Sequence, residues 1–172
     1  MGKLHRSDID LLKGLSIVAV VLYHMGILPF GYFGVDVFLV INGFLIILSV
    51  YKKMESGQFN YFEFLKSRFI RLAPLVVIAC IVSMLVGFFG MLPDDYENLA
   101  ESSVASLFFS NNILSSYISA DYWNVVNEYK PLMHLWYVGV LAEFYIIIPF
   151  IVWIDIKLAK RLNAKHGGGY YV

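Results

Sequence analysis

The first apolar run of the chain, KGLSIVAVVLYHMGILPF, opens on Lys13 and carries His24 eleven positions later. An ionisable side chain inside a membrane-spanning run costs about 2.5–3.5 kcal/mol on insertion scales, so such residues are functional candidates by default. Helical geometry puts the two groups about 16 Å apart along the axis and within roughly 20° of one face. Each also has a structural reading. Lys13 can extend its ammonium to the interface, and His24 can hydrogen-bond between helices. Asp36 follows at the start of the next apolar run. A carboxylate beside an imidazole fixes its tautomer and raises its basicity, as a general base requires. The alternative for Asp36 is a helix N-terminus, where free amides and the dipole favour negative charge.

Two further groups stand out. Arg68 and Arg71, three apart, share one helical face, and paired guanidiniums can clamp phosphates bidentately as a nucleotide-bearing donor requires. They can equally anchor the chain to anionic headgroups on the cytoplasmic side. Glu143 lies in the middle of LMHLWYVGVLAEFYIIIPFIVWI, where a lone carboxylate must be protonated, paired or hydrated. An ion pair across helices, to Lys13 or an arginine, is its structural reading. Asn42 and Gly43 read as packing residues, Trp136 as an interfacial anchor and His134 as a weaker proton-handling candidate.

The elements that must position these groups are membrane helices. Of 172 residues, 59% are hydrophobic and 15% charged, far from the ~25% charged of a soluble domain. Net charge is zero, which gives no overall bias toward nucleic acid. The single cysteine, Cys80, excludes a disulfide within the chain. Four segments reach the ~20 apolar residues of a crossing: Leu11–Leu28, Tyr32–Tyr51, Leu72–Leu92 and Leu132–Ile154. A fifth, Val104–Ile118, is short and carries Asn111 and Asn112 at its centre, so it reads as a partial, re-entrant or interfacial segment.

Charge placement orients these spans. Lys3 and Arg6, then Lys52, Lys53, Lys66, Arg68 and Arg71, then Lys157, Lys160, Arg161 and Lys165 form three basic regions that belong on the cytoplasmic side. Four crossings satisfy all three and leave the acidic stretch with Asp94, Asp95, Glu97, Glu101, Asp121 and Glu128 outside. The expected fold is therefore an all-α integral membrane bundle of about four transmembrane helices plus one partial segment, both termini cytoplasmic. Residues 1–156 make the membrane portion and 157–172 a basic, glycine-rich cytoplasmic tail. Ser7 and Asp10 suit a capping box that starts the first helix. The connector ESGQFNYFEFLKSRFIRLAP suits a helix lying in the interface before Pro74.

Five stretches in order, DIDLLKGLSIVAVVLYH, GYFGVDVFLVINGFLI, FLKSRFIRLAP, LFFSNN and HLWYVGVLAEFYIIIPF, resemble the first half of the membrane-bound acyltransferase family 3. That family includes bacterial O-acetyltransferases of lipopolysaccharide, peptidoglycan and exopolysaccharide. The resemblance places its basic-residue and histidine pair on Lys13 and His24, its aspartate on Asp36, and its donor-handling arginines on Arg68 and Arg71. Lys13 stands where arginine is usual, keeping the charge but not the planar fork. Leu39 and Asn42 stand where Phe and Ser are more usual. Where the family commonly has a Glu-Glu-Gln-Phe-Tyr string, this chain reads Leu141, Ala142, Glu143, Phe144, Tyr145, so Glu143 takes the glutamine position. The family's membrane domain resembles a bundle of about ten helices, which makes this chain similar to its N-terminal part, as a fragment, a truncated product or half of a split assembly.

The resemblance implies transfer of an acyl group, expected to be acetyl, from cytoplasmic acyl-CoA to a hydroxyl of an extracytoplasmic glycan, without a metal. Expected partners are membrane lipids, a cell-envelope polysaccharide, lipopolysaccharide or peptidoglycan-precursor acceptor, and a C-terminal half or homologue, with no nucleic acid. The expected location is a bacterial inner or plasma membrane. Two rival readings remain open: a transporter or proton-relay module, since intramembrane Lys, His, Asp and Glu also describe ion pathways, and a non-catalytic truncated homologue.

Overall fold

The computed structural model describes residues 7–118 and 131–165. Every regular element among those residues is a helix: α1 (Ser7–His24), α2 (Phe33–Glu55), α3 (Tyr61–Gly90), α4 (Pro93–Leu107), α5 (Asn111–Ile118), a 3-10 turn at Met133–Leu135, and α6 (Trp136–Lys165). The chain divides after Gly57 into two compact units. The ends of the first two helices have a common cause. Gly26 and Gly57 take left-handed backbone angles, φ 71° and 70°, which close the last turns of α1 and α2 at little steric cost. Their amides donate to the carbonyls of Tyr23 (2.9 Å) and Met54 (3.2 Å) respectively.

The first unit is the α1/α2 hairpin. α1 begins at Ser7 with Asp8 and Asp10 in its first turn, where they oppose the dipole. α2 begins with Asp36 in its first turn and ends with Lys52 and Lys53 in its last, the same favourable arrangement at both ends. The two helices pack through small residues. A Cβ at Gly34 would strike the backbone carbonyl of Ser16, and one at Gly31 that of Ala19. Ser16 itself is buried and returns its hydroxyl to the Leu12 carbonyl at 2.8 Å. Close approach through glycine and serine is how helices pack where no hydrophobic force separates them from lipid.

The second unit is built on two 30-residue helices, α3 and α6. Asn60 caps α3, its side-chain oxygen accepting from the Glu63 amide at 3.2 Å. Each long helix runs unbroken through an internal proline, Pro74 and Pro149, that lacks the N–H for the carbonyl four residues back. Membrane helices tolerate this because their surroundings satisfy the freed groups. The connector before Pro74 therefore forms no separate helix. From Tyr61 onward it is the first part of α3. Thirty residues span about 45 Å, well beyond a hydrocarbon core of about 30 Å. α3 thus has room for both the aromatic and basic entry turns and a crossing.

α4 lies against α3 through one face. Leu99, Ser103 and Ser106 are buried at helical spacing, while Asp94, Asp95 and Glu97 are exposed. Val76 and Cys80 of α3 form a core with Leu99 and Leu132, flanked by Tyr96, Phe109, Leu135 and Val138. The Cys80 thiol points to the Ser103 carbonyl at 3.8 Å and Ser103 donates to the Leu99 carbonyl at 2.8 Å, so Cys80 is a small buried packing residue between α3 and α4. The expected short fifth segment is not one helix. It is the end of α4 and all of α5, separated at Phe109, which takes φ 56°. Ser110 closes the break, its amide and hydroxyl both donating to the Ala105 carbonyl at 2.8 and 3.1 Å. Neither piece approaches a bilayer-crossing length.

Most of the molecule's apolar surface faces outward. On α3, Leu75, Ile78, Val82, Leu85, Val86 and Phe89 are all exposed. Contiguous apolar surface of that kind is untenable in water and ordinary in lipid. α2, α3 and the run Met133–Leu162 are long and apolar enough to cross a membrane. α1 has only 18 residues, among them Asp8, Asp10 and Lys13, and falls outside that set. The chain is an all-α membrane protein.

Candidate functional site

In the first unit, Lys13 and His24 lie on one uninterrupted helix, so the rise and rotation expected from the sequence apply. Lys13 is half-buried. His24, the last residue of α1, is exposed. Its ring meets that of Tyr23 edge to face at 5.4 Å, and Tyr23 in turn meets Tyr32 at 5.7 Å. Asp36 is exposed in the first turn of α2, one short turn of chain after His24. A basic residue, an imidazole and a carboxylate thus belong to a single helical hairpin.

In the second unit, Arg68 and Arg71 sit one turn apart near the start of α3. Arg68 is half-buried and Arg71 exposed. The Arg68 guanidinium carbon lies 5.3 Å from the ring centre of Phe64 and 5.7 Å from that of Tyr145 on α6. Arg68 Nε is buried without a hydrogen-bond partner. The α3/α6 seam continues through Tyr61, whose ring meets Phe150 at 5.1 Å and whose hydroxyl reaches the Ile146 carbonyl at 3.5 Å. Tyr61, Phe64 and Arg68 recur at helical spacing, so these contacts lie on one stripe of α3.

Glu143 is bonded to an amide. Asn112 Nδ2 donates to Glu143 Oε1 at 2.6 Å, joining α5 to α6. Gly139, one turn before Glu143, makes room for Asn112, because a Cβ there would collide with the asparagine side chain. The neighbouring Asn111 is buried and donates to the Leu132 carbonyl at 2.9 Å. The two asparagines that interrupt the apolar pattern are therefore the pins that hold α5 in place. Phe64, Asn112, Gly139 and Tyr145 are site-forming residues that spacing alone does not reveal. The asparagine pair is the one sequence signal that points at this joint. Among the described residues, no group of three or more His, Cys, Asp or Glu side chains could hold a metal ion.

The profile of the acyltransferase domain matches residues 6–165, which is nearly the whole chain. This chain belongs to acyltransferase family 3. It is 31% identical to the peptidoglycan O-acetyltransferase OatA of Listeria monocytogenes over 159 residues, covering 90% of this chain and 25% of that protein. It is 29% identical to the O-acetyltransferase OatA of Staphylococcus aureus over 148 residues, covering 84% of this chain and 24% of that protein. The chain therefore spans about a quarter of the length of these relatives. No solved structure matches it. For a member of acyltransferase family 3, the asparagine bond explains the main departure of sequence. Glu143 occupies the position where the family resemblance expects glutamine, and it makes the one-acceptor contact to Asn112 that a glutamine carbonyl could also make.

Proposed function

We propose that this chain supplies the N-terminal part of a membrane O-acyltransferase that moves an acyl group, acetyl in our reading, from cytoplasmic acyl-CoA to a hydroxyl of an extracytoplasmic glycan. The observation that carries the proposal is the acyltransferase-domain match over residues 6–165, with two relatives named as O-acetyltransferases. Peptidoglycan is the acceptor named for the Listeria relative, and a cell-envelope glycan is accordingly the acceptor class proposed here. The membrane is the bacterial inner membrane, crossed four times, with both termini in the cytoplasm.

Arg68 and Arg71 hold the phosphates of the donor by charge-assisted hydrogen bonds at the start of α3. Lys13 adds positive charge near the donor's entry to α1. His24, with its basicity supported by Asp36, handles the proton or the acyl group. As general base, its imidazole takes the proton of the acceptor hydroxyl while the oxygen attacks the thioester carbonyl. The C–O bond forms, the C–S bond breaks, and the proton passes to the departing CoA thiolate. As acyl carrier, the imidazole nitrogen attacks the thioester carbonyl and the C–S bond breaks to release CoA thiolate. The acceptor oxygen then attacks the acyl carbon, the C–N bond breaks to free His24, and the hydroxyl proton passes to the thiolate. Either route needs His24 and no metal.

The decisive measurement is acyl transfer from labelled acetyl-CoA to envelope glycan in membranes that carry the chain in its natural protein context. His24→Ala should abolish labelling while the protein remains in the membrane at wild-type level. Labelling preserved in that variant would refute the assignment of His24.

A further inference from the structure

Arg68 sits in a corner made by two rings. Phe64, one turn earlier on α3, and Tyr145 on α6 meet edge to face, with an 84° angle between planes and 6.1 Å between centres. Both are nearly fully buried, at 4% and 7% exposure. The guanidinium lies within cation–π range of each, at 5.3 and 5.7 Å. A guanidinium binds anions through its in-plane N–H edge and rests on aromatics through its face. Rings against the group therefore restrict how that edge can turn. The buried, unpartnered Nε lies on that edge. An unsatisfied buried donor is costly, and an anion that brings an acceptor oxygen to it relieves the cost.

We propose that Tyr145 and Phe64 are positioning residues that pre-orient the Arg68 fork for a phosphate of the acyl donor, while exposed Arg71 contributes charge with little fixed geometry. This rests on the reading above that Arg68 receives the donor. Neither ring touches the donor. Their effect is to reduce the side-chain freedom that Arg68 would otherwise lose on binding. The ring of Tyr145 matters here rather than its hydroxyl, since it is the face that meets the guanidinium. The contact also makes donor affinity depend on how α6 packs against α3.

The test is equilibrium binding of coenzyme A to the chain in lipid nanodiscs, by calorimetry. Tyr145→Leu should weaken binding about five- to tenfold, the scale of one partly desolvated cation–π contact. Tyr145→Phe, which keeps the ring, should restore it. Arg68→Lys removes the planar fork and should itself weaken binding, and adding Tyr145→Leu to it should produce little further loss. Should Tyr145→Leu not fold, Phe64→Leu read on the same cycle decides the question. Wild-type affinity in Tyr145→Leu, failure of Tyr145→Phe to restore it, or losses that simply add in the double variant would each overturn the inference while leaving the proposed function standing. A wild-type chain that binds no coenzyme A would instead overturn the proposed role of the arginines, and this inference with it.

Discussion

At the residue scale, Glu143 shows how context decides what a charged residue type is for. Its position in an apolar run suggests chemistry or an ion pair, whereas its carboxylate accepts a hydrogen bond from Asn112 at 2.6 Å. Glu143→Gln should therefore leave folding and acyl transfer close to wild type, because the amide oxygen can replace the carboxylate oxygen. Glu143→Leu should lower stability by about 1 kcal/mol, since it strands a half-buried donor. Thermal unfolding in detergent checks both. His24→Ala is a different kind of change. An exposed residue at the end of α1 contributes little to packing, so the variant should keep its melting temperature while acyl transfer falls by at least about 100-fold, the lower range for loss of an acid–base group. The types of both residues were legible in the sequence. The partner of Glu143 was not, because 31 residues separate it from Asn112 and no periodicity links two helices that far apart.

At the element scale, helix period accounts for what could be read in advance. Lys13 and His24 share α1, and Arg68 and Arg71 share the entry of α3, because positions three, four or eleven apart fall together on any α-helix. The continuity of α3 through Pro74 and the break of α4 from α5 at Phe109 were less legible. A proline marks a lost hydrogen bond, and whether the helix kinks or stops there depends on what packs around it. Likewise, a left-handed phenylalanine is an exception that only surrounding contacts can maintain. Two changes test these joints. Gly139→Val should displace Asn112 and destabilise the α5/α6 contact by about 1–3 kcal/mol, the cost of forcing extra bulk into a packed seam. Gly34→Leu should do the same to the α1/α2 hairpin, where the glycine faces the Ser16 backbone. Loss of thermal stability in each, with no loss for Gly90→Ala, whose Cβ would meet nothing within 4 Å, is the expected pattern.

At the scale of the whole molecule, the proposed topology makes a direct prediction. With Cys80 replaced by alanine, a cysteine at Glu97 should react with a membrane-impermeant maleimide in intact cells, and one at Lys160 only after permeabilisation. Labelling of both from the same side would refute four crossings. Composition and the length of the apolar runs determined by themselves that the chain is a helical membrane protein, because leaving this much apolar surface uncovered is possible only in lipid. The order of short motifs likewise identified the family, and residues 6–165 match it. Tertiary structure alone decided which side chains meet. It brought Tyr145 to Arg68 and Asn112 to Glu143, contacts between helices far apart in the chain. The physical reason is that sequence spacing reports neighbours along one helix, whereas contacts between helices depend on where small residues let backbones approach and where buried polar groups find partners.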